Sequence, residues 1–254
     1  MDRFNFRDKI VVVTGGSRGI GKSIAVAFGE AGANVVVAAR KVHLLKEVVE
    51  EIQAKGGGGF YVECDLTKDE TIYGLIEKAV DRYGRIDILV NNAGIGPWVK
   101  KSEEVTKEMW EEVLQVNLMA PFLLCREASK IMMKNNCGRI IDIASVGGAI
   151  ALPRQIAYCA AKGALIQMTK VLGIEWAEKY AITVNAIAPG YIATDLTAGM
   201  RASEKISQSL LQRTPRRRFG EPDEIAGAAL YLASESASYT TGSVLFIDGG
   251  WLAS

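Results

Sequence analysis

Short, unbroken apolar runs alternate along this chain with longer amphipathic stretches. Lys9-Ile-Val-Val-Val-Thr14 and Asn34-Val-Val-Val-Ala-Ala39 show no polar alternation, the pattern of strands covered on both faces of a parallel sheet. Residues 60–64, 86–90, 139–144, 183–187 and 243–247 read as five further strands. Between the first two strands a helical pattern runs to Ala31 and stops at Gly32, a residue suited to a helix C-terminus. The next helix carries Leu44, Leu45, Val48, Val49 and Ile52 on one face, and Gly56 to Gly59 stop it. Further helices are predicted over 69–83, over about 106–134 with an interruption at Pro121, and from the Tyr158 segment to about Lys179. A short one falls near 203–211, and the last over 222–232, with Pro222 in the first turn. Each strand–helix unit takes about 25–30 residues, which implies right-handed βαβ crossovers and a doubly wound α/β fold. No linker, repeat or low-complexity tract interrupts it, so one domain over residues 1–254 is expected.

Candidate chemistry concentrates in the stretch from Ser145 to Lys162. Tyr158 and Lys162 are four apart, one helical turn, on a shared face. A nearby ammonium favours phenolate, so the pair predicts a Tyr158 pKa lowered from about 10 toward neutrality, usable for acid/base work. Ser145 closes a β-branched run, which puts its hydroxyl at the carboxyl end of a strand, where open α/β sheets bind ligands. The second concentration is Thr14-Gly15-x-x-x-Gly19-x-Gly21, between a buried strand and a helix. Glycines there let backbone N–H groups and a helix N-terminus approach a pyrophosphate. Gly15-x-Ser17-x-Gly19 also matches the nucleophile elbow of α/β-hydrolases. A hydrolase needs a separate acid and a histidine downstream, and His43, the single histidine, follows too closely with Glu30 alone between.

Composition narrows the class. The apolar fraction is 49%, the charged fraction 23%, and 30 basic residues face 29 acidic ones. A net charge of +1 provides no field for nucleic acid or an anionic membrane. The N-terminal residues lack the apolar core of a signal peptide, and no apolar run approaches about 18 residues. Cys64, Cys125, Cys137 and Cys159 form no C-x-x-C pair and read as reduced thiols of a cytoplasmic protein. One histidine excludes the multi-histidine metal sites, and no metal is expected.

Taken with Asn91-Asn92-Ala93-Gly94, Asn117 and Pro189-Gly190, these motifs resemble the short-chain dehydrogenase/reductase family, in family order from Val11 to Gly250. The resemblance implies a Rossmann-like seven-stranded parallel sheet, a nicotinamide cofactor and a homotetramer. It implies Tyr158 as proton donor and acceptor, Ser145 as hydrogen-bond partner of the substrate oxygen, and Lys162 as ribose ligand that lowers the Tyr158 pKa. Asn117 would hold a relay water to Lys162. Pro121, four residues on, has no N–H, which predicts a free Asn117 carbonyl for that purpose. Asn91 to Gly94 would line the adenine and ribose side and stabilise the central sheet. For the cofactor, the resemblance implicates Gly15, Ser17, Arg18, Gly19, Ile20 and Gly21 on the phosphates. Asp65, Leu66, Asn92, Ala93 and Gly94 would meet adenine and ribose. Pro189, Gly190, Ile192 and Thr194 join Tyr158 and Lys162 around the nicotinamide. Ala144 departs from the family, where many members carry a second Ser.

An acid at the end of the second strand would bind a ribose 2′-hydroxyl, but that place is held by Ala39, with Arg40 next. Arg18 and Arg40 suit a 2′-phosphate, so NADP(H) is favoured over NAD(H). Gly96, Trp98, Val146, Gln155 and Tyr191 are the candidates for the substrate side, under a lid within about 190–215. Arg216 to Arg218 read as a solvated loop, and Trp251 as a contact to a neighbouring subunit. Arg213-Thr-Pro215, Gly220-Glu-Pro222 and Glu175-Trp-Ala177 resemble gluconate 5-dehydrogenase-like members acting on keto-sugar acids. The resemblance implies reversible hydride transfer between the nicotinamide and a ketone or secondary alcohol; a 3-oxoacyl-carrier-protein reductase, a simple ketone reductase and a catalytically silent NADP-binding sensor are the alternatives.

Overall fold

A computed structural model describes residues 4–96 and 99–253. Its strands are β1 (Ile10–Thr14), β2 (Asn34–Ala39), β3 (Gly58–Glu63), β4 (Ile88–Asn91), β5 (Gly138–Ile143), β6 (Ile182–Pro189) and β7 (Val244–Ile247). The helices are α1 (Gly19–Glu30), α2 (Val42–Ala54), α3 (Asp69–Tyr83), α4 (Lys107–Leu114) and α5 (Ala120–Lys134). They continue with α6 (Ile156–Lys179), α7 (Ala198–Ala202), α8 (Glu204–Arg213) and α9 (Pro222–Ala233). Among the described residues the strands form one parallel sheet in the order β3-β2-β1-β4-β5-β6-β7, a Rossmann-like doubly wound fold.

The unbroken apolar runs are explained by two buried faces. Val11 and Val13 turn toward α1, α2 and α9, meeting Ile24, Phe28, Leu45, Ile52 and Ile225. Val12 turns the other way, into a core with Ile72 and Leu75 of α3, Leu124 of α5 and Leu172 of α6. Because successive strand residues point to opposite faces, each valine of β1 needs an apolar cover and receives one.

Three stretches differ from the sequence expectation. β3 begins at Gly58, inside the glycine run expected only to stop α2; Gly58 and Gly59 pair with Asn34 and Val35. Two residues without side chains give no apolar signal, yet their backbone bonds complete an edge strand. The helix expected over 106–134 is interrupted by a π turn, Gln115–Met119, in which Ala120 N–H donates to the Gln115 carbonyl. Pro121 then falls in the first turn of α5, where its missing N–H costs no ladder bond. The short helix expected near 203–211 is α8, and a further short helix, α7, precedes it.

α6 is held close to the turn after β5. A Cβ on Gly148 would stand 2.7 Å from the Lys162 carbonyl oxygen, a backbone atom that cannot yield. Gly148→Ala should therefore lower the unfolding free energy by about 1–3 kcal/mol. Gly227→Ala, inside α9 with nothing within 4 Å of the added methyl, should raise it by about 0.5–1 kcal/mol. Equilibrium urea denaturation of the two variants checks both signs.

Candidate active site

A cleft of about 560 Å³ runs across the carboxyl ends of β1 to β6. It lies where the chain, having laid down β2 and β3 to one side of β1, crosses back to place β4 on the other. Adjacent strands there send their connections to opposite faces and leave a gap between them. The gap is pinned by Thr14, whose hydroxyl accepts from the N–H groups of Asn92 and Ala93, each at 3.1 Å. Asn92 answers by donating its side-chain amide to the Thr14 carbonyl at 2.9 Å.

The glycine turn forms one wall. Gly15 has φ +64°, and a Cβ on Gly21 would stand 2.4 Å from the Gly15 carbonyl oxygen. The turn therefore closes only with bare backbone at both places. α1 opens behind it with no side chain capping its first N–H groups and no acid in its first turn. Those donors, at the positive end of the helix dipole, face the cleft and fit a pyrophosphate. Ser17 has no histidine near it, since His43 is exposed on α2 and away from the cleft. That removes the hydrolase arrangement.

Every residue named from the sequence for the cofactor lines this cleft, from Gly15 through Arg40, Asp65, Leu66 and Gly94 to Pro189, Gly190, Ile192 and Thr194. Sequence reasoning missed Lys41, Thr67, Ile95, Glu112, Val116 and Asp195, which line it too. The residue type at the end of β2 signalled Lys41; nothing local signalled Val116 or Glu112, which arrive from α4 and the π turn. Asn91 is the exception: expected on the adenine and ribose side as well as in the sheet, it is 2% exposed and donates to Asp142 at 2.8 Å, its side chain turned into the core by that buried carboxylate.

At the floor, Ser145 accepts the Gly147 N–H at 3.1 Å and hydrogen-bonds Tyr158. Lys162, 4% exposed, donates to the Ile143 carbonyl at 2.7 Å, and its Nζ lies 5.9 Å from the centre of the Tyr158 ring. Asn117 stands one layer behind. Its side chain is fully engaged with Ile95, accepting from the N–H at 3.0 Å and donating to the carbonyl at 3.1 Å.

The expected lowering of the Tyr158 pKa is not found in this state. Burial pushes the phenol up, with the Ser145 hydrogen bond opposing it. Burial instead pulls the Lys162 ammonium down to about 8, with the negative charge of Asp142 opposing it. The two charges that the sequence pairs are both penalised by the same dry pocket.

Both cations expected at the 2′ position face carboxylates. Arg18 pairs with Asp195 at 2.9 Å, both side chains largely exposed. Partial burial would raise the Asp65 pKa, but hydrogen bonds from Thr67 and the charge of Arg40 hold it below the usual range.

On the substrate side the placement is looser. Val146 is buried, and Gln155 directly precedes α6 without a side-chain capping bond. A Cβ on Gly96 would stand 2.6 Å from Leu196, so that residue sits under the lid segment. Tyr191 lines a separate small cavity and stacks edge-on against Trp251 at 4.9 Å. Trp98 lies outside the described residues. Trp251, expected to reach a neighbouring subunit, is 3% exposed within its own chain, under Arg213 and against Tyr191. The aromatic cluster offered it a nearer cover. Arg218 is spent on Glu224, two contacts of 2.7 Å. Among the described residues no group of three or more His, Cys, Asp or Glu is placed to hold a metal, and no helix is long and apolar enough to cross a membrane.

Over residues 15–252 the chain matches the family described as Enoyl-(Acyl carrier protein) reductase. It is 40% identical over 256 residues to the 2-dehydro-3-deoxy-D-gluconate 5-dehydrogenase of Pseudoalteromonas atlantica, covering 99% of each chain. It is 39% identical over 251 residues to the NAD-dependent glycerol dehydrogenase of Listeria innocua, covering 98% of this chain and 95% of that one. The solved gluconate 5-dehydrogenase of Burkholderia cenocepacia, in complex with NADP and tartrate, superposes with a TM-score of 0.94 at 33% identity. That match covers 100% of this chain and 98% of the other.

A lysine half-neutral near pH 8 is a nucleophile where ordinary lysines, at about 10.4, are not. Carbamylation by cyanate, mapped by mass spectrometry across pH on the ligand-free protein, should show Lys162 reacting with a midpoint near 8.

Proposed function

The chain belongs to the short-chain dehydrogenase/reductase family and is an oxidoreductase of alcohol and carbonyl groups; from that premise we propose that it interconverts a keto-sugar acid and its secondary alcohol with NADP(H). The observation that carries the reading is one cleft in which a glycine-turn cradle and the group Ser145, Tyr158 and Lys162 face the same space. Relatives acting on dehydro-deoxygluconate and gluconate, one of them solved with the hydroxy acid tartrate, support the substrate class.

Bound nicotinamide supplies or accepts the hydride at the carbonyl carbon. The chain supplies everything else. Ser145 and Tyr158, already hydrogen-bonded to each other, both reach one substrate oxygen. As negative charge grows on that oxygen, Tyr158 gives up its proton; in alcohol oxidation it takes one back. Lys162 has three N–H donors and spends one on Ile143, leaving two for the ribose hydroxyls and the relay. Because the Asn117 side chain is committed to Ile95, its main-chain carbonyl is the group left for the relay water. Lid residues 190–215 close over the cofactor. One domain, residues 1–254, does both binding and chemistry.

Arg18, Arg40 and Lys41 rim the pocket beside Ala39, and three cations without a carboxylate on β2 support the 2′-phosphate of NADP(H). The Arg18–Asp195 pair is exposed and of low value, so a phosphate displaces it at little cost. NAD(H) use follows if Arg18 stays with Asp195. Exposed Leu245 and Phe246 on edge strand β7, with Val171 and Ile174 on α6, support assembly into a homotetramer. Four free thiols fit the cytoplasm.

Tyr158→Phe should lower kcat by about 10²–10⁴-fold while the protein still quenches NADPH fluorescence normally. Unchanged turnover would remove Tyr158 from the mechanism, and cofactor binding without turnover on any ketone would support the sensor. Initial rates should favour 5-ketogluconate over acetoacetyl-CoA and an aryl ketone; turnover confined to acetoacetyl-CoA would make the protein a carrier-protein reductase. Arg18→Gln combined with Arg40→Gln should lower kcat/KM for NADPH by about 10²–10⁴-fold, the value of two lost charged hydrogen bonds. NADH rates should hardly move, and equal losses with both cofactors would end the phosphate-clamp reading.

A further inference from the structure

Directly behind the catalytic lysine, β5 carries a carboxylate with no exposure to solvent, Asp142. Three elements converge on it. Its Oδ1 accepts from the side-chain amide of Asn91 on β4 at 2.8 Å, and its Oδ2 accepts from the Thr169 hydroxyl on α6 at 2.8 Å. Cys125 of α5 presents its thiol at 3.9 Å. Thr169 also lies 2.9 Å from the Leu165 carbonyl, but a hydroxyl has one proton and that carbonyl already receives a helical N–H. The carboxylate is therefore the acceptor that needs it. Asn91 leaves its own Oδ1 without a partner, so its orientation is set by donating to Asp142 and Cys125. A protonated Asp142 would have to donate to the Thr169 oxygen and turn the Thr169 proton to the Leu165 carbonyl, forfeiting a charge-assisted bond. The arrangement fits the ionised form.

The next residue on the strand, Ile143, holds the Lys162 ammonium on its carbonyl. We propose that Asp142 is a positioning residue whose buried negative charge keeps Lys162 protonated in the dry floor of the cleft. Asn91 and Thr169 hold that charge in place from β4 and α6. The titratable groups around it are few: Lys162 on α6 and Cys125 on α5, with Ala186 beside it in register on β6. Cys125, pushed well above its ordinary range by burial and by Asp142 itself, stays neutral. Burial raises the Asp142 pKa above the ordinary carboxylate range, and Asn91, Thr169 and Lys162 oppose that rise. Asp142 and Lys162 thus each favour the charged form of the other.

The consequence for catalysis rests on the acid/base reading of Tyr158 and Lys162. Without Asp142 the lysine turns neutral at lower pH and ceases to stabilise a Tyr158 phenolate. The titration itself does not depend on that reading or on any substrate. In ligand-free protein labelled with [13Cε]lysine, the Lys162 resonance, assigned by its loss in Lys162→Arg, should titrate near pH 8. In Asp142→Asn, which keeps the shape, the midpoint should fall by about one unit. A midpoint that stays or rises in folded Asp142→Asn overturns the proposal and leaves Asp142 a structural residue. Should Asp142→Asn fail to fold, the Asp142 carboxyl carbon of wild-type protein labelled with [13Cγ]aspartate decides. An ionised signal at pH 7 that shifts as Lys162 titrates is the expected result. A protonated signal at pH 7 overturns it.

Discussion

A parallel sheet buried on both faces leaves its ends as the place where polar chemistry can stand. Here helices α1, α2 and α9 cover one face and α3, α5 and α6 the other, so every strand side chain between them is under pressure to be apolar. Polar groups collect at the carboxyl ends, and the crossing from β3 back to β4 opens the gap between them. Thr14 and Asn92 keep that gap at fixed width by exchanging hydrogen bonds across it. The glycine turn, the floor residues and the lid all take their positions from this one opening.

The floor of the cleft is a balance of desolvation against local partners. Tyr158 and Lys162 sit close enough to influence each other, yet burial favours the neutral form of both. Lys162, drawn down to about 8, rests near the edge of ionisation, whereas Tyr158 is held as the neutral phenol. The buried Asn91–Asp142–Thr169 connection ties this balance to the sheet and to α6. Sheet stability and proton chemistry share residues here.

At the mouth the forces are different. Arg18 with Asp195 ties the glycine turn to the segment ahead of α7, and Arg201 of α7 reaches back to the Thr194 carbonyl at 3.1 Å, both through exposed contacts. Contacts of this kind are weak and interchangeable in water, unlike those of the floor. Leu196, more than half exposed, rests over Gly96 and completes the cover.

The sequence by itself determined the fold and most of the cleft. The boundaries of β2 and α3 follow from periodicity, because two-sided burial and amphipathic packing each impose a pattern on the residues they select. The glycine turn and the Tyr158–Lys162 spacing were legible because local backbone geometry demands them. Three kinds of fact were not legible. β3 begins on glycines whose pairing partner, β2, is some twenty residues away in the chain. Trp251 turned inward because Tyr191 and Arg213, distant in sequence, assemble a cover for it. The protonation of Tyr158 and Lys162 went against their pairing, since a pKa depends on how much water and which charges surround a group. Local spacing places reactive groups near one another, but solvent exclusion and long-range contacts set their charge, and only the tertiary structure contains those.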